Sequence, residues 1–172
     1  MPCSQILAGI ARDCSSNMGG IKTVYIANAD DVDSITELSG VVTAITMKSS
    51  KKFYPYVFSP GTSSLTSNWQ VNAENGTKYV ESDLLMVFNR MDSTIRLEIM
   101  ALAQTEMAIV VEDNNGTMWF LAEATINAGD GQTGTARADR NGYSVTLQDN
   151  SPEMPSEILV GTGGVDISTI VA

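Results

Sequence analysis

Glu81 and Asp83 stand two positions apart in "YVESDLLMVF" (Tyr79 to Phe88). Strand alternation puts both carboxylates on one face, and such a pair can divide acid and base roles at a glycosidic bond. That chemistry needs a cleft and a raised pKa; an exposed acidic sheet face is the simpler account of the pair. A second acidic run, "ADDVDSITE", carries Asp30, Asp31, Asp33 and Glu37. It lacks the glycine turn and later glutamate of a calcium-binding loop, so a solvated acidic connection is expected. The chain has no histidine, which removes Ser-His-Asp and Cys-His nucleophile systems and the commonest zinc ligand. Cys3 and Cys14 fit neither a CxxC pair nor a zinc site. They are expected as reduced thiols, and a bridge between them would clip only an arm. "GDGQTGT" has neither the lysine nor the following helix of a phosphate loop. Lys48, Lys51 and Lys52 form the only basic cluster, expected as a turn tip, with contact to an acidic neighbouring subunit as the alternative. Trp69 and Trp119 are expected in the core. No catalytic, cofactor-binding or metal-binding residue emerges, and a non-enzyme is expected.

The elements that carry these residues read as β structure. The 172 residues suit one domain with a real core plus arms. Hydrophobic residues reach 43% and charged residues only 17%, the balance being rich in Ser, Thr, Asn and Gly. Ten basic against twenty acidic residues leave a net charge of −10, which argues against wrapping nucleic acid but not against a surface that nucleic acid slides past. The start, "MPCSQILAGIARDCSS", has no basic segment before its short apolar run. No apolar stretch approaches membrane-spanning length. Synthesis and folding in a cytoplasm, with no membrane partner, are therefore expected.

Residues 1–20 read as an N-terminal arm, 21–150 as a β domain and 151–172 as a C-terminal arm. "IKTVYIANA" and "GVVTAITM" are expected strands, and Pro55 in "FYPYVF" marks an edge or bulge. In "TSSLTSNWQVN", Thr62, Ser64, Thr66, Asn68, Gln70 and Asn72 share one face, while Leu65, Trp69 and Val71 point to the core. After a turn at Asn75-Gly76, Val80, Leu84, Met86 and Phe88 read as core, opposite Tyr79, Glu81 and Asp83. "DSTIRLEIMALAQ" (92–104) is the one expected helix, capped by Asp92 or Ser93. Ile95, Ile99 and Leu102 form its inner stripe; Leu97 and Met100 fall on the far side, under a loop or against another subunit. "AIVVEDNNGTMWFL" is a hairpin, "NAGDGQTGT" a glycine-rich connection, and "ARADRNGYSVTLQD" a hairpin turning at Asn141-Gly142. "DISTIVA" is a β-prone strip with no evident partner in its own chain.

This order resembles the tail tube proteins of long-tailed bacteriophages and related contractile machines. "GIARDCSSNMGGIKTVYIANADDV", "NRMDSTIRLEIMALAQTEMAIVVEDNNGTMWFL" and "GQTGTARADRNGYSVTLQDNSPEMP" are also similar to a family of small structural proteins from phages of Bacteroidetes gut bacteria. The likeness spans most of Gly9 to Pro155 and rests on turn and core residues. It implies a mainly β fold, a β-sandwich or partial barrel with a long hairpin, one flanking helix and extended arms. It further implies a virion tail subunit, made in the bacterial host's cytoplasm, that forms stacked, hexameric homo-oligomeric rings. Genomic DNA would pass through unbound, other tail or virion proteins would be partners, and no cofactor would be needed. Thr66, Asn68, Gln70, Glu81 and Asp83 would face the lumen. Leu97, Met100, Ile167, Ile170 and Val171 would form subunit interfaces. Two other readings stay open: a capsid decoration or head-completion protein, and a carbohydrate-binding sandwich using Trp69, Tyr54 and Tyr56.

Overall fold

A computed structural model describes residues 9–172. It is mainly β, with 53% strand and 10% helix, and its mixed sheet curls into a half-barrel. In chain order the elements are β1 (Ile21–Asn28), a 3-10 turn (Ala29–Asp31), β2 (Val32–Leu38), β3 (Val41–Met47), β4 (Tyr54–Val57), β5 (Ser64–Asn72) and β6 (Thr77–Asn89). Then come α1 (Ser93–Leu102), β7 (Met107–Asp113), β8 (Met118–Gln132), β9 (Gly142–Ser151), β10 (Ser156–Ile158) and the single-turn α2 (Ile167–Ile170).

The sheet runs β2-β3-β10-β8-β7-β1-β4, and β8 also leads through β9 and β6 to β5. The fifteen-residue β8 therefore serves both halves. Its first part pairs with β7 and β10, and its second with β9. Register shifts opposite Met107–Ile109 and between Ile126 and Ala128 let it bend between them. One core fills the fold of the sheet. Val24 and Ile26 of β1, Ile109 and Val111 of β7, and Leu121 of β8 meet Leu84 and Met86 of β6, Val145 and Leu147 of β9, and Leu102 of α1. A second core covers the other face of β1 and β7 with Val42, Ile45, Phe53, Ile158 and Ile170. Strand β7 is buried on both faces from Met107 to Glu112, which explains why "AIVV" runs apolar without alternation.

Several expectations hold. Val80, Leu84 and Met86 are buried. Asp92 caps α1, its side chain accepting from the Thr94 amide, and Leu102 is the buried end of the inner stripe. Pro55 lies in β4, at the edge of the sheet.

Others need correction. The acidic connection "DDVDSITEL" is a 3-10 turn followed by β2, which forms a hairpin with β3. Ser39 and Gly40 both take positive φ, 54° and 80°, the primed turn that matches strand twist. Strand β2 is a sheet edge with exposed faces, so it carries no apolar alternation to betray it. The glycine-rich stretch is strand to Gln132, and the last hairpin is β8–β9. Glycine serves there as packing space: a Cβ on Gly131 would lie 2.8 Å from the Tyr143 ring. Trp69 and Val71 are not core; they are 43% and 66% exposed, because the β5–β6 hairpin outruns the layer it packs on.

The C-terminal segment is no free arm. Strand β10 lies between β3, which it parallels, and β8. The expected unpaired strip forms α2, capped by Asp166, and closes on Phe53. The Phe53 amide donates to the Ile170 carbonyl at 2.8 Å, and the Ala172 amide donates to Phe53 at 2.9 Å. Ile170 is buried, and Ile167 and Val171 pack beside it. They are thus held by the chain's own core, which had more apolar surface to cover than its strands alone could bury. Of the two cysteines, Cys14 is exposed, and Cys3 lies outside the described residues, as do the other seven of the first eight positions.

Removing residues 166–172 should therefore destabilise the fold rather than leave it intact. A loss of about 2–5 kcal/mol is expected, the range for large core deletions, whereas Ile170→Val should cost only about 0.5–1.5 kcal/mol. Urea midpoints of the three proteins, at constant m, measure the difference.

Candidate functional site: a polar, acidic sheet face

Strand pairing carries the polar face beyond the hairpin seen in the sequence. Thr66 lies opposite Asp83, Asn68 opposite Glu81 and Gln70 opposite Tyr79. Across β6, Glu81 faces Asn150, Asp83 faces Gln148 and Leu85 faces Thr146. Gln148 in turn faces Thr125, and Ser144 faces Asp130. Partners directly opposite in an antiparallel pair share a side. Thr66, Asn68, Gln70, Glu81 and Asp83 thus sit on one face of four adjacent strands, β5-β6-β9-β8. The β8 and β9 contribution was invisible to local alternation, because it depends on which strands become neighbours.

Neutral amides hold the two carboxylates in place. Gln148 Nε2 donates to Glu81 Oε1 at 2.6 Å and to Asp83 Oδ1 at 2.9 Å. Gln70 Nε2 donates to Glu81 Oε2 at 3.1 Å. No lysine or arginine occupies the paired positions named above. Lys78 is on the other side of the hairpin, its ammonium 4.4 Å from the centre of the Trp69 ring. Arg140, at the end of the face, pairs with Asp130 at 3.1 Å. The Ser144 hydroxyl, and then Arg140, hold the Asp130 carboxyl below its ordinary pKa. The face as a whole offers hydrogen-bonding groups and negative charge.

The opposite side of the same strands is different. Ser67 and Ser82 hydroxyls meet at 2.8 Å, and Asp149, facing Ser82, is buried. Its Oδ1 accepts from the Glu123 amide at 3.3 Å, at the place where β8 shifts register against β7. Burial pushes the Asp149 carboxyl above its ordinary pKa, the Glu123 amide opposes this, and the Glu123 charge adds to it. Asp149 borders a groove of about 380 Å³ walled by Ile35, Phe120 and Met154. A second groove, about 340 Å³, lies between Met18, Leu65 and Trp119.

Among the interface candidates, Leu97 and Met100 are 60% and 47% exposed on the outer side of α1, while Glu98 accepts from the Tyr56 hydroxyl. The basic turn is engaged within its own chain. Lys48 donates to the Asp30 carbonyl, Lys51 pairs with Asp31 at 3.1 Å, and Lys52 donates to the Val171 carbonyl at 3.1 Å. The aromatics weighed for carbohydrate do not form one platform: Trp69 is on β5, whereas Tyr54 and Tyr56 are on β4, a different edge of the sheet. Among the described residues, no helix is long and apolar enough to cross a membrane, and no group of three or more metal-ligating side chains comes together.

A scan against family models and a search of curated proteins found no match to the chain.

Asp149 generates a test of these electrostatics. A carboxyl whose folded pKa is raised binds protons more tightly folded than unfolded, so its favourable contribution is present below the unfolded pKa and lost as pH rises through the folded value. Asp149→Asn keeps an oxygen for the Glu123 amide and removes the charge. The variant should be more stable than the parent at neutral pH. The difference should shrink as pH falls toward the ordinary aspartate range, as read by urea melts across pH.

Proposed function

We propose that this chain is a non-enzymatic virion subunit, a tail tube protein whose copies form stacked rings around a channel for DNA. The observation that carries the reading is the four-stranded face. It is polar and negative, its paired positions carry no lysine, and Arg140 at its end is taken up by Asp130, as suits a wall past which a polyanion must move, since each free cation on such a wall would hold phosphate. Two further features support assembly. Strand β5 ends the sheet with nine residues, none charged and none proline, so nothing blocks a further strand from pairing there. Strand β4, by contrast, is short and carries Pro55, and β2 carries Asp33 and Glu37. The outer side of α1 adds the exposed Leu97 and Met100.

A second reading is a capsid decoration or head-completion subunit. The fold of residues 151–172 into the subunit's own sheet favours it, because that segment is not free to tie one ring to the next.

Negative-stain imaging and sedimentation of the purified protein separate the two. Rings or tubes are expected for the tube subunit, and discrete particles without channels for the other. Leu97→Asp with Met100→Asp should abolish the rings while circular dichroism stays unchanged, since both residues lie off the inner stripe of α1. Loss of fold in that variant would place them in the subunit's own packing.

The channel assignment has its own test. Lysine at positions 66, 68 and 146 should leave folding within about 0.5 kcal/mol per site, as for most surface changes. Assembled variants should retain double-stranded DNA, with a salt dependence that steepens by about 0.9 in logarithmic slope per phosphate contact. Retention measured by filter binding that matches the parent would remove this face from the channel.

A further inference from the structure

We infer that Asn75 is a site of spontaneous backbone modification, converting through a cyclic imide to aspartate and its β-linked isomer. The inference is independent of the assembly reading. The reaction needs a nearby amide nitrogen that is free to attack and a following residue without a Cβ to obstruct it. The chain has three Asn-Gly pairs, at 75–76, 115–116 and 141–142, and the structure treats them differently.

Asn115 is held on every side. Its Oδ1 accepts from the Met18 amide at 2.8 Å, and its Nδ2 donates to Asn17 Oδ1 at 2.9 Å and to the Met18 carbonyl at 3.0 Å. The would-be nucleophile, the Gly116 amide, donates to the Asp113 carbonyl at 3.1 Å. Asn141 is held as well. Its Oδ1 accepts from the Met91 amide at 3.2 Å, and its carbonyl accepts from the Arg90 amide at 2.6 Å. Gly142 is buried and paired on both sides, with Asn89 and Gln132.

Asn75 sits in the exposed tip between β5 and β6. The Asn72 side chain organises that tip by accepting from the Glu74 and Asn75 amides at 3.0 and 3.2 Å. Among the described residues, nothing hydrogen-bonds the Asn75 side chain or the Gly76 amide. Asn75 and Gly76 are both exposed, and apart from the adjoining residues no atom lies within 4 Å of where a Gly76 Cβ would stand, so no packed neighbour holds the tip against the attack. Gly76 at φ +67° holds a turn that other residues seldom adopt.

The chemistry balances with water as the only co-reactant. The Gly76 nitrogen loses its proton and bonds to Asn75 Cγ. The Cγ–Nδ2 bond breaks, and ammonia leaves with the proton. Water then opens the imide at either carbonyl, returning the normal backbone with a carboxylate at position 75 or a chain routed through the former side chain. Either product adds one negative charge at the tip, and the second also lengthens the loop backbone by one carbon.

The test is peptide mapping by mass spectrometry of the full chain held in mildly alkaline buffer. A synthetic peptide of sequence NAENGTK serves as the reference, and an isoaspartate-directed methyltransferase with labelled methyl donor reports the β-linked form. Conversion at Asn75 is expected at a rate close to that of the peptide and roughly tenfold or more above Asn115 and Asn141, a factor corresponding to about 1.4 kcal/mol of barrier. Asn75→Gln should abolish the labelling at this tip while the circular dichroism spectrum is kept. A folded chain inert at Asn75 while the peptide converts, or conversion at Asn115 or Asn141 as fast as at Asn75, would overturn the inference.

Discussion

The whole architecture depends on one strand meeting two sets of hydrogen-bonding partners. Strand β8 must satisfy β7 and β10 with its first half and β9 with its second. A straight strand could not serve both while the sheet curls far enough for β6 and β9 to close over β1 and β7. Register shifts provide the bend, and each disturbs the ladder locally. An amide freed from the ladder needs another partner, and the bend has a replacement acceptor. Asp149 gives its Oδ1 to the Glu123 amide there, at the cost of holding a carboxyl out of water. An ionisable group inside the fold is thereby tied to the strand geometry that creates the polar face.

That geometry separates two chemical surfaces with a single layer of strands. Inward, Leu84, Met86, Val145 and Leu147 are buried; outward, the same strands present Asp83, Gln148 and Thr146. Glu81 and Asp83 are restrained by amide donors, not by cations. Gln148 bridges Glu81 and Asp83, leaving their charge unneutralised. At physiological ionic strength such charge is felt over about 8 Å, so it acts on what comes close to the face and leaves distant encounters unaffected. The alternative construction, with lysine as the partner, would have given firmer ion pairs and an adhesive surface.

Burial of the C-terminal segment follows from the second core. The outer faces of β1 and β7 need a cover, and Phe53 lies in it. Short β10 and the one-turn α2 supply that cover, with Ile158, Val165 and Ile170 as its contacts. The same requirement is absent at the tip of the β5–β6 hairpin, where Trp69 and Val71 remain partly in water and Trp69 gains only the Lys78 ammonium over its ring. Apolar sequence was thus used where a layer lay within reach and left exposed where none did.

The sequence by itself determined the β class, the inner stripe and capped start of α1, the core side of β6, the placing of Pro55 at an edge or a bulge, and the shared face of Thr66, Asn68, Gln70, Glu81 and Asp83. Each of these is set by local periodicity, by capping chemistry or by the missing amide of proline, and these act over a few residues. Only the tertiary structure decided that "VDSITEL" is a strand, because edge strands need not alternate when neither face is covered. It alone decided that Gly129 and Gly131 lie in a strand, since the reason is a ring packed against Gly131 from β9. It alone turned "DISTIVA" into a helical turn on Phe53, where burial outweighed the β preference of its branched residues. The completed polar face was likewise unreadable: Gln148 is 65 residues from Asp83, and nothing in a local pattern specifies which distant strand will lie beside it.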